Sequence, residues 1–132
     1  MDRFSLIKVV VANDLDELNH VNNVRYLEWV QDISAAHWKH NASEAQQKQY
    51  IWVVRKHEIT YYNAAKLGNE LLLETHIAQS KGPISTRKVQ IKDNKTKTLL
   101  VSASTDWCLV SPKTMRPVRI PEEIERLFQP MW

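Results

Sequence analysis

A chain of 132 residues with 43% apolar and 25% charged side chains fits one globular domain, too apolar for a disordered tail and too short for two domains. Its net charge of +3, from 18 basic and 15 acidic residues with the signs interspersed, lacks the one-sided basic face of a nucleic-acid binder. A single Cys108 excludes an internal disulfide and a cysteine zinc site, and glycines only at 68 and 82 exclude a Walker loop and a dinucleotide fingerprint.

The opening Met1-Asp2-Arg3-Phe4 has no apolar signal core and no apolar run approaches bilayer length, so a cytoplasmic chain without a membrane span is expected. Residues 4–12 are rich in β-branched side chains and predict a strand. A polar run over 13–23 follows. Val24, Leu27, Trp29, Val30, Ile33, Ala35 and Ala36 then recur at helical spacing, and Tyr26 widens the apolar face. The spacing predicts a helix over 23–40, about 27 Å long and buried almost all round. His37 and His40 fall on its solvated end, with no third ligand at metal spacing. Ser43-Glu44-Ala45-Gln46 has capping-box spacing and opens one or two more helical turns.

Beyond residue 49 the period changes. Segments 50–62, 70–80, 84–92 and 98–110 read as strands, with turn signals at 66–69, 81–83 and 93–95. Long strands joined by short turns predict an antiparallel meander. His57 and His76 lie within strands as surface or interface residues, and Cys108 is a buried structural thiol. Pro112 and Pro117 close the last strand, and Pro121-Glu122-Glu123 starts a short helix with Ile124, Leu127 and Phe128 on its apolar stripe.

The order of strand, long helix and four strands gives an α+β fold. One five-stranded antiparallel sheet wraps a central helix, in a single domain over residues 1–132. Its two outermost strands would be open edges, which predicts a homodimer or homotetramer.

The chemistry concentrates in Asn13-Asp14-Leu15-Asp16-Glu17-Leu18-Asn19-His20-Val21-Asn22-Asn23. This polar loop feeds a helix N-terminus, where free N–H groups and the helix dipole can stabilise an oxyanion on a thioester carbonyl. Asp14, Asp16 and His20 lie beside it, and a partly desolvated carboxylate there can act as general base or nucleophile. The same residue types also make ordinary helix caps and turns.

As a whole the segment resembles hotdog-fold thioesterases of the 4-hydroxybenzoyl-CoA thioesterase type. Their Asp-x-Asp-x-x-Gly/Asn-His-Val-Asn-Asn-x-x-Tyr pattern is matched in register by Asp14, Asp16, Asn19, His20, Val21, Asn22, Asn23 and Tyr26. The likeness continues through Ile59-Thr60-Tyr61-Tyr62-Asn63-Ala64-Ala65, Gly68-Asn69-Glu70 and Arg116-Pro117-Val118-Arg119-Ile120-Pro121, covering nearly the whole chain.

The resemblance implies a hotdog fold and hydrolysis of an acyl-CoA or acyl-carrier-protein thioester, with no metal or organic cofactor and no nucleic-acid partner. It puts the catalytic carboxylate on Asp16 and the oxyanion donor on or near the Asn23 N–H. His20 and Asn19 would flank the reacting carbonyl or hold water, and Tyr26 would join the substrate-binding residues. The loop also resembles that of plant acyl-carrier-protein thioesterases, from which it departs at Leu18, where they have Asn, and at Ala64 and Ala65, where they have a Glu-Cys pair. An Asp-centred mechanism therefore suits this chain better than a Cys-centred one. Near the third-to-fourth strand turn, the resemblance makes Lys81, Arg87 and Lys88 candidates for the phosphates of coenzyme A, with Ser85 as a hydroxyl donor. Trp29 or Trp52 would line an acyl pocket. Two alternatives are a hotdog dehydratase acting on a carrier-bound hydroxyacyl group and a non-catalytic acyl-binding module.

Overall fold

The computed structural model describes residues 2–129. Strand β1 (Arg3–Val9) leads through a 3-10 turn, Ala12–Asp14, into helices α1 (Asn23–Asn41) and α2 (Glu44–Gln49). Strands β2 (Ile51–Tyr61), β3 (Glu70–Lys81), β4 (Ile84–Asp93) and β5 (Leu99–Val110) follow, and α3 (Glu122–Glu125) runs into a 3-10 turn, Arg126–Phe128. The strands form one antiparallel sheet in the order β1-β3-β4-β5-β2. No helix among the described residues is long and apolar enough to cross a membrane.

Only β3, β4 and β5 form the expected meander. β2 pairs with β5 and not with β3, so residues 62–69 carry the chain across to the other half of the sheet. The helix start fixes that crossing: the Ala65 N–H donates to the Tyr26 hydroxyl at 2.9 Å, and the Val21 N–H donates to the Ala65 carbonyl at 3.0 Å. β1 and β2 are the open edges.

Helix α1 buries one stripe, Tyr26, Trp29, Val30, Ile33, Ser34 and His37, at the i, i+3, i+4 spacing of a helix lying on a sheet. It is not buried all round, as its apolar content had suggested, because the sheet covers only one side and leaves Val24 and Ala35 exposed. Val30 and Ile33 pack with Leu71, Ile91 and Val101 in the main core. Each fully buried side chain of this size contributes about 1.5–3 kcal/mol. Asn22 caps α1, its Oδ1 accepting the Val24 N–H at 3.0 Å. The expected capping box forms at α2, where Ser43 Oγ accepts the Gln46 N–H and Gln46 Oε1 accepts the Ser43 N–H.

Pairing slips by one residue at Arg55 in β2 and at Ala78 in β3. Such bulges bend a strand and increase its twist, which curls the sheet around α1. Ahead of Arg55, Trp52 and Val54 turn toward the helix; beyond it, His57 and Ile59 do.

His37 does not occupy a solvated helix end. It is fully enclosed, four residues beyond Ile33 on the buried stripe. Arg87 Nη1 donates to its Nδ1 at 2.8 Å, and since a guanidinium only donates, Nδ1 carries no proton. Its Nε2–H donates to Asp2 Oδ2 at 2.7 Å, so the ring is neutral. Burial holds the His37 pKa below the ordinary histidine value, the Asp2 hydrogen bond opposes this, and the Arg87 charge reinforces it.

Candidate active site

Asp14 is buried and committed to structure. Its Oδ2 accepts the Val11 N–H at 2.9 Å, its Oδ1 lies 3.1 Å from Arg25 Nε, and its carbonyl accepts the Asn22 N–H at 2.9 Å. Arg25 also donates to the Asn13 carbonyl at 2.8 Å and pairs with Glu28 at 2.9 Å. Arg25 is not among the site residues expected from the sequence. Its signal was a cation in the first turn of a helix, where the dipole disfavours positive charge unless a carboxylate faces it.

Asp16 is half-buried at the centre of the loop. Its Oδ1 accepts the N–H groups of Leu18 at 2.9 Å and His20 at 3.2 Å. Its own N–H donates to the His20 carbonyl at 2.8 Å, and its carbonyl accepts the Asn19 N–H at 3.0 Å. The turn puts Asn19 at φ 61°, a left-handed conformation that Asn adopts more readily than most residues. A bridge between Leu15 and Val21 closes the loop. Asp16 Oδ2 keeps no partner among the described residues.

Because Asn22 caps the helix, Asp16 is free of that duty. The Asn23 N–H, first in the helix, has no acceptor among the described residues and stands at the positive end of the helix dipole. Hydrogen bonds thus tie Asp16, Asn19 and His20 together in the loop that leads to Asn23 at the start of α1. The His20 ring is half-buried and makes no hydrogen bond among the described residues. Large apolar side chains in and near this segment stay exposed: Val11, Leu18 at 70% exposure, Val24 at 61%, and Tyr61, which contacts the helix start. The Tyr61 hydroxyl reaches the Asn23 carbonyl at 3.4 Å.

Tyr26 is not available to a substrate within this chain. It is buried, its hydroxyl holds the Ala65 N–H, and its ring meets Trp29 edge-on at 5.6 Å. Trp29 is likewise core. Trp52 lines a cavity at the other end of α1.

The four candidate phosphate residues, Lys81 at the end of β3 and Ser85, Arg87 and Lys88 on β4, do not share one face. Alternation turns Ser85, Arg87, Val89 and Ile91 inward toward the helix, and Ser85 and Arg87 are buried. Lys88 faces out, its Nζ donating to Ser104 Oγ at 3.1 Å, and Lys81 is exposed. The phase shared with Val89 and Ile91 was the available signal. Cys108 is buried between strands, its thiol directed at the Leu109 carbonyl.

With this geometry in place, four likenesses bear on the chain. A family model described as the acyl-ACP thioesterase N-terminal domain matches residues 8–128. A chloroplast acyl-[acyl-carrier-protein] hydrolase of Cuphea viscosissima is 29% identical over 87 residues, 66% of this chain and 21% of that protein. The match thus spans about a fifth of the curated relative. Among solved structures, a 1,4-dihydroxy-2-naphthoyl-CoA thioesterase from Synechocystis superposes with a TM-score of 0.84 at 15% identity, over 96% of this chain and 95% of its own. The 12:0-ACP thioesterase from Umbellularia californica gives 0.82 at 18% identity, over 98% of this chain and 51% of its own. These neighbours share the five-stranded sheet and central helix described above.

Proposed function

The chain belongs to the acyl-ACP thioesterase family, a group of hotdog-fold proteins, and on that premise we propose that it hydrolyses an acyl thioester carried by acyl carrier protein or coenzyme A. The observation that carries this reading is the Asp16 Oδ2 left without a partner, in the loop that leads into a helix whose first N–H, at Asn23, also has no acceptor among the described residues.

In the general-base form, Asp16 Oδ2 takes a proton from water as its oxygen bonds to the thioester carbon. The carbonyl oxygen becomes an oxyanion facing the Asn23 N–H, a donor whose removal typically costs about 3–4 kcal/mol of transition-state stabilisation. Collapse breaks the carbon–sulfur bond, the thiolate recovers the proton, and a carboxylate leaves. In the nucleophilic form, Oδ2 itself bonds to the carbon, the carbon–sulfur bond breaks and the thiolate takes a proton from solvent, and water then hydrolyses the acyl-aspartyl anhydride to release the acid and restore Asp16. Either form uses Asp16 and Asn23, with His20 and Asn19 ordering water or the carbonyl. Ala64 and Ala65 offer no nucleophile, and Cys108 is buried.

The exposed apolar collar around the junction supports a homodimer that covers it, with the site at the subunit boundary. Exposed Lys81 and Lys88 remain available to the phosphates of a carrier. The reading is tested by assaying thiol release from acyl-CoA and acyl-carrier-protein panels with wild type and Asp16→Asn. Saturable hydrolysis lost in the variant supports it. Absence of hydrolysis by wild type on both panels would leave an acyl-binding module.

A further inference from the structure

A cavity of about 220 Å³ opens between the C-terminal half of α1 and the sheet, walled by Trp38, Trp52, Ile77, Trp107, Ile124 and Phe128. Ala35, exposed on α1, borders it. Ala35 lies 12 residues beyond Asn23, about 18 Å along the helix axis, and no residue of 14–23 lines the space. It is separate from the Asp16 junction.

Its walls are apolar except for Ser34, Ser80, Ser85, Arg87 and Glu125, and Glu125 makes no ion pair with Arg87. Arg87 is only 4% exposed. Nη1 is used by His37 Nδ1 at 2.8 Å and Thr75 Oγ1 at 3.0 Å, while Nε and Nη2 have no acceptor among the described residues. No carboxylate lies within ion-pair distance of it among those residues. Asp2 sits beyond His37, and its Oδ2 is taken by His37 and Asn41. Burial lowers the Arg87 pKa to about 10, with the Asp2 charge opposing, which leaves it a cation at neutral pH. The Ser85 hydroxyl also lines the cavity without a partner among the described residues. A buried cation with unspent donors calls for an anionic acceptor. The aromatic walls call for hydrocarbon.

We propose that this cavity binds an apolar monocarboxylate, the carboxylate received by the Arg87 Nε–H and Nη2–H fork and the Ser85 hydroxyl, the tail lying among the tryptophans. The volume is on the scale of a short-chain acid such as hexanoate. The site does not depend on the hydrolase reading, because Asp16 takes no part in it.

The test titrates hexanoate and the uncharged 1-hexanol into the full chain, followed by tryptophan fluorescence and by amide NMR shifts. Hexanoate is expected to saturate one site, shift Ser85 and Trp107, and bind at least about 10-fold tighter than 1-hexanol, the scale of one charge-assisted fork. Arg87→Met should abolish that preference while still admitting 1-hexanol. Arg87→Lys, which keeps the charge but not the fork, should weaken hexanoate several-fold. Ala35→Trp should exclude both ligands, and Asp16→Asn should bind hexanoate normally. Equal binding of the two ligands to wild type, or shifts confined to residues 14–23, would overturn the proposal. So would a loss in Asp16→Asn matching that in Arg87→Met.

Discussion

Asp16 and His20 hold each other by two hydrogen bonds of opposite sense: the Asp16 N–H donates to the His20 carbonyl at 2.8 Å, and the His20 N–H donates to Asp16 Oδ1 at 3.2 Å. One carboxylate oxygen therefore builds the loop while the other keeps no partner among the described residues. The division makes the proposed catalytic role separable from the structural one by substitution.

Asp16→Asn retains an acceptor at Oδ1 but loses the charge and basicity. Thioester hydrolysis should fall at least about 100-fold, within the range for lost acid–base catalysis, with the melting temperature nearly unchanged. Steady-state kinetics alongside a thermal melt check both parts. Near-normal turnover would move the chemistry away from Asp16.

Asp14→Asn should behave in the opposite way. Its carboxylate is buried against Arg25 Nε, so the variant should lose stability, about 1–2 kcal/mol after allowing for the partial exposure of Arg25. The direct effect on turnover should be much smaller than at Asp16. A double-mutant cycle with Arg25→Met in urea should give a coupling of the same order. Additive losses would show that the pair is not coupled.

The pH dependence of stability should carry the signature of His37. Its folded pKa lies below 6.5, with burial first among the causes, so between the folded value and 6.5 the unfolded chain binds more protons. Stability therefore rises with pH through that window and is fully present above 6.5. Asp2 and Arg87 face the ring, and His40 lies close on the same helix. Burial works to raise the Asp2 carboxyl, but its hydrogen bonds to His37 and Asn41 prevail and hold it below its ordinary value of 3.8. Its contribution, present above 3.8, is lost as pH falls through the folded value, the same sign at lower pH. His37→Gln, which can accept from Arg87 and donate to Asp2 without titrating, should flatten the slope between pH 5 and 7, a window set by the 6.5 reference value, in urea unfolding series. An unchanged slope would assign the effect to another group.

Sedimentation should find a dimer or larger species at micromolar concentration. Leu18→Lys and Val24→Lys, which place charges in the apolar collar, should shift it toward monomer and reduce turnover together. A monomeric wild type with full activity would show that the collar is not a subunit boundary.

The elements were legible because their periods are local. Tyr26, Val30, Ile33 and His37 repeat as a helix does, and Leu71, Leu73 and Thr75 alternate as a strand does. The loop was legible from the order Asp14, Asp16, His20, Asn22, Asn23. The pairing of β2 with β5 was not, since Ile59 meets Ala103 across 44 residues and no local pattern reports the partner. Arg87 and Ser85 were misplaced because a cluster of basic residues near a turn reads as surface by composition, whereas their phase with Val89 and Ile91 points inward. His37 was misjudged by its residue type, against a stripe that already ran through it.

The two bulges give the fold a vulnerability of a different kind. In a strictly alternating strand, Trp52 and His57 would lie on opposite faces, as would Ile77 and Ser80. The extra residues Arg55 and Ala78 bring each pair to the same side. Removing Ala78 would leave every backbone partner available and keep Ser80 opposite the inward-facing Ser85, yet it would take the local bend out of β3. A one-residue deletion at either position would thus flatten the curl of the sheet around α1 without altering any side chain that faces it, a lesion that substitution scanning never samples.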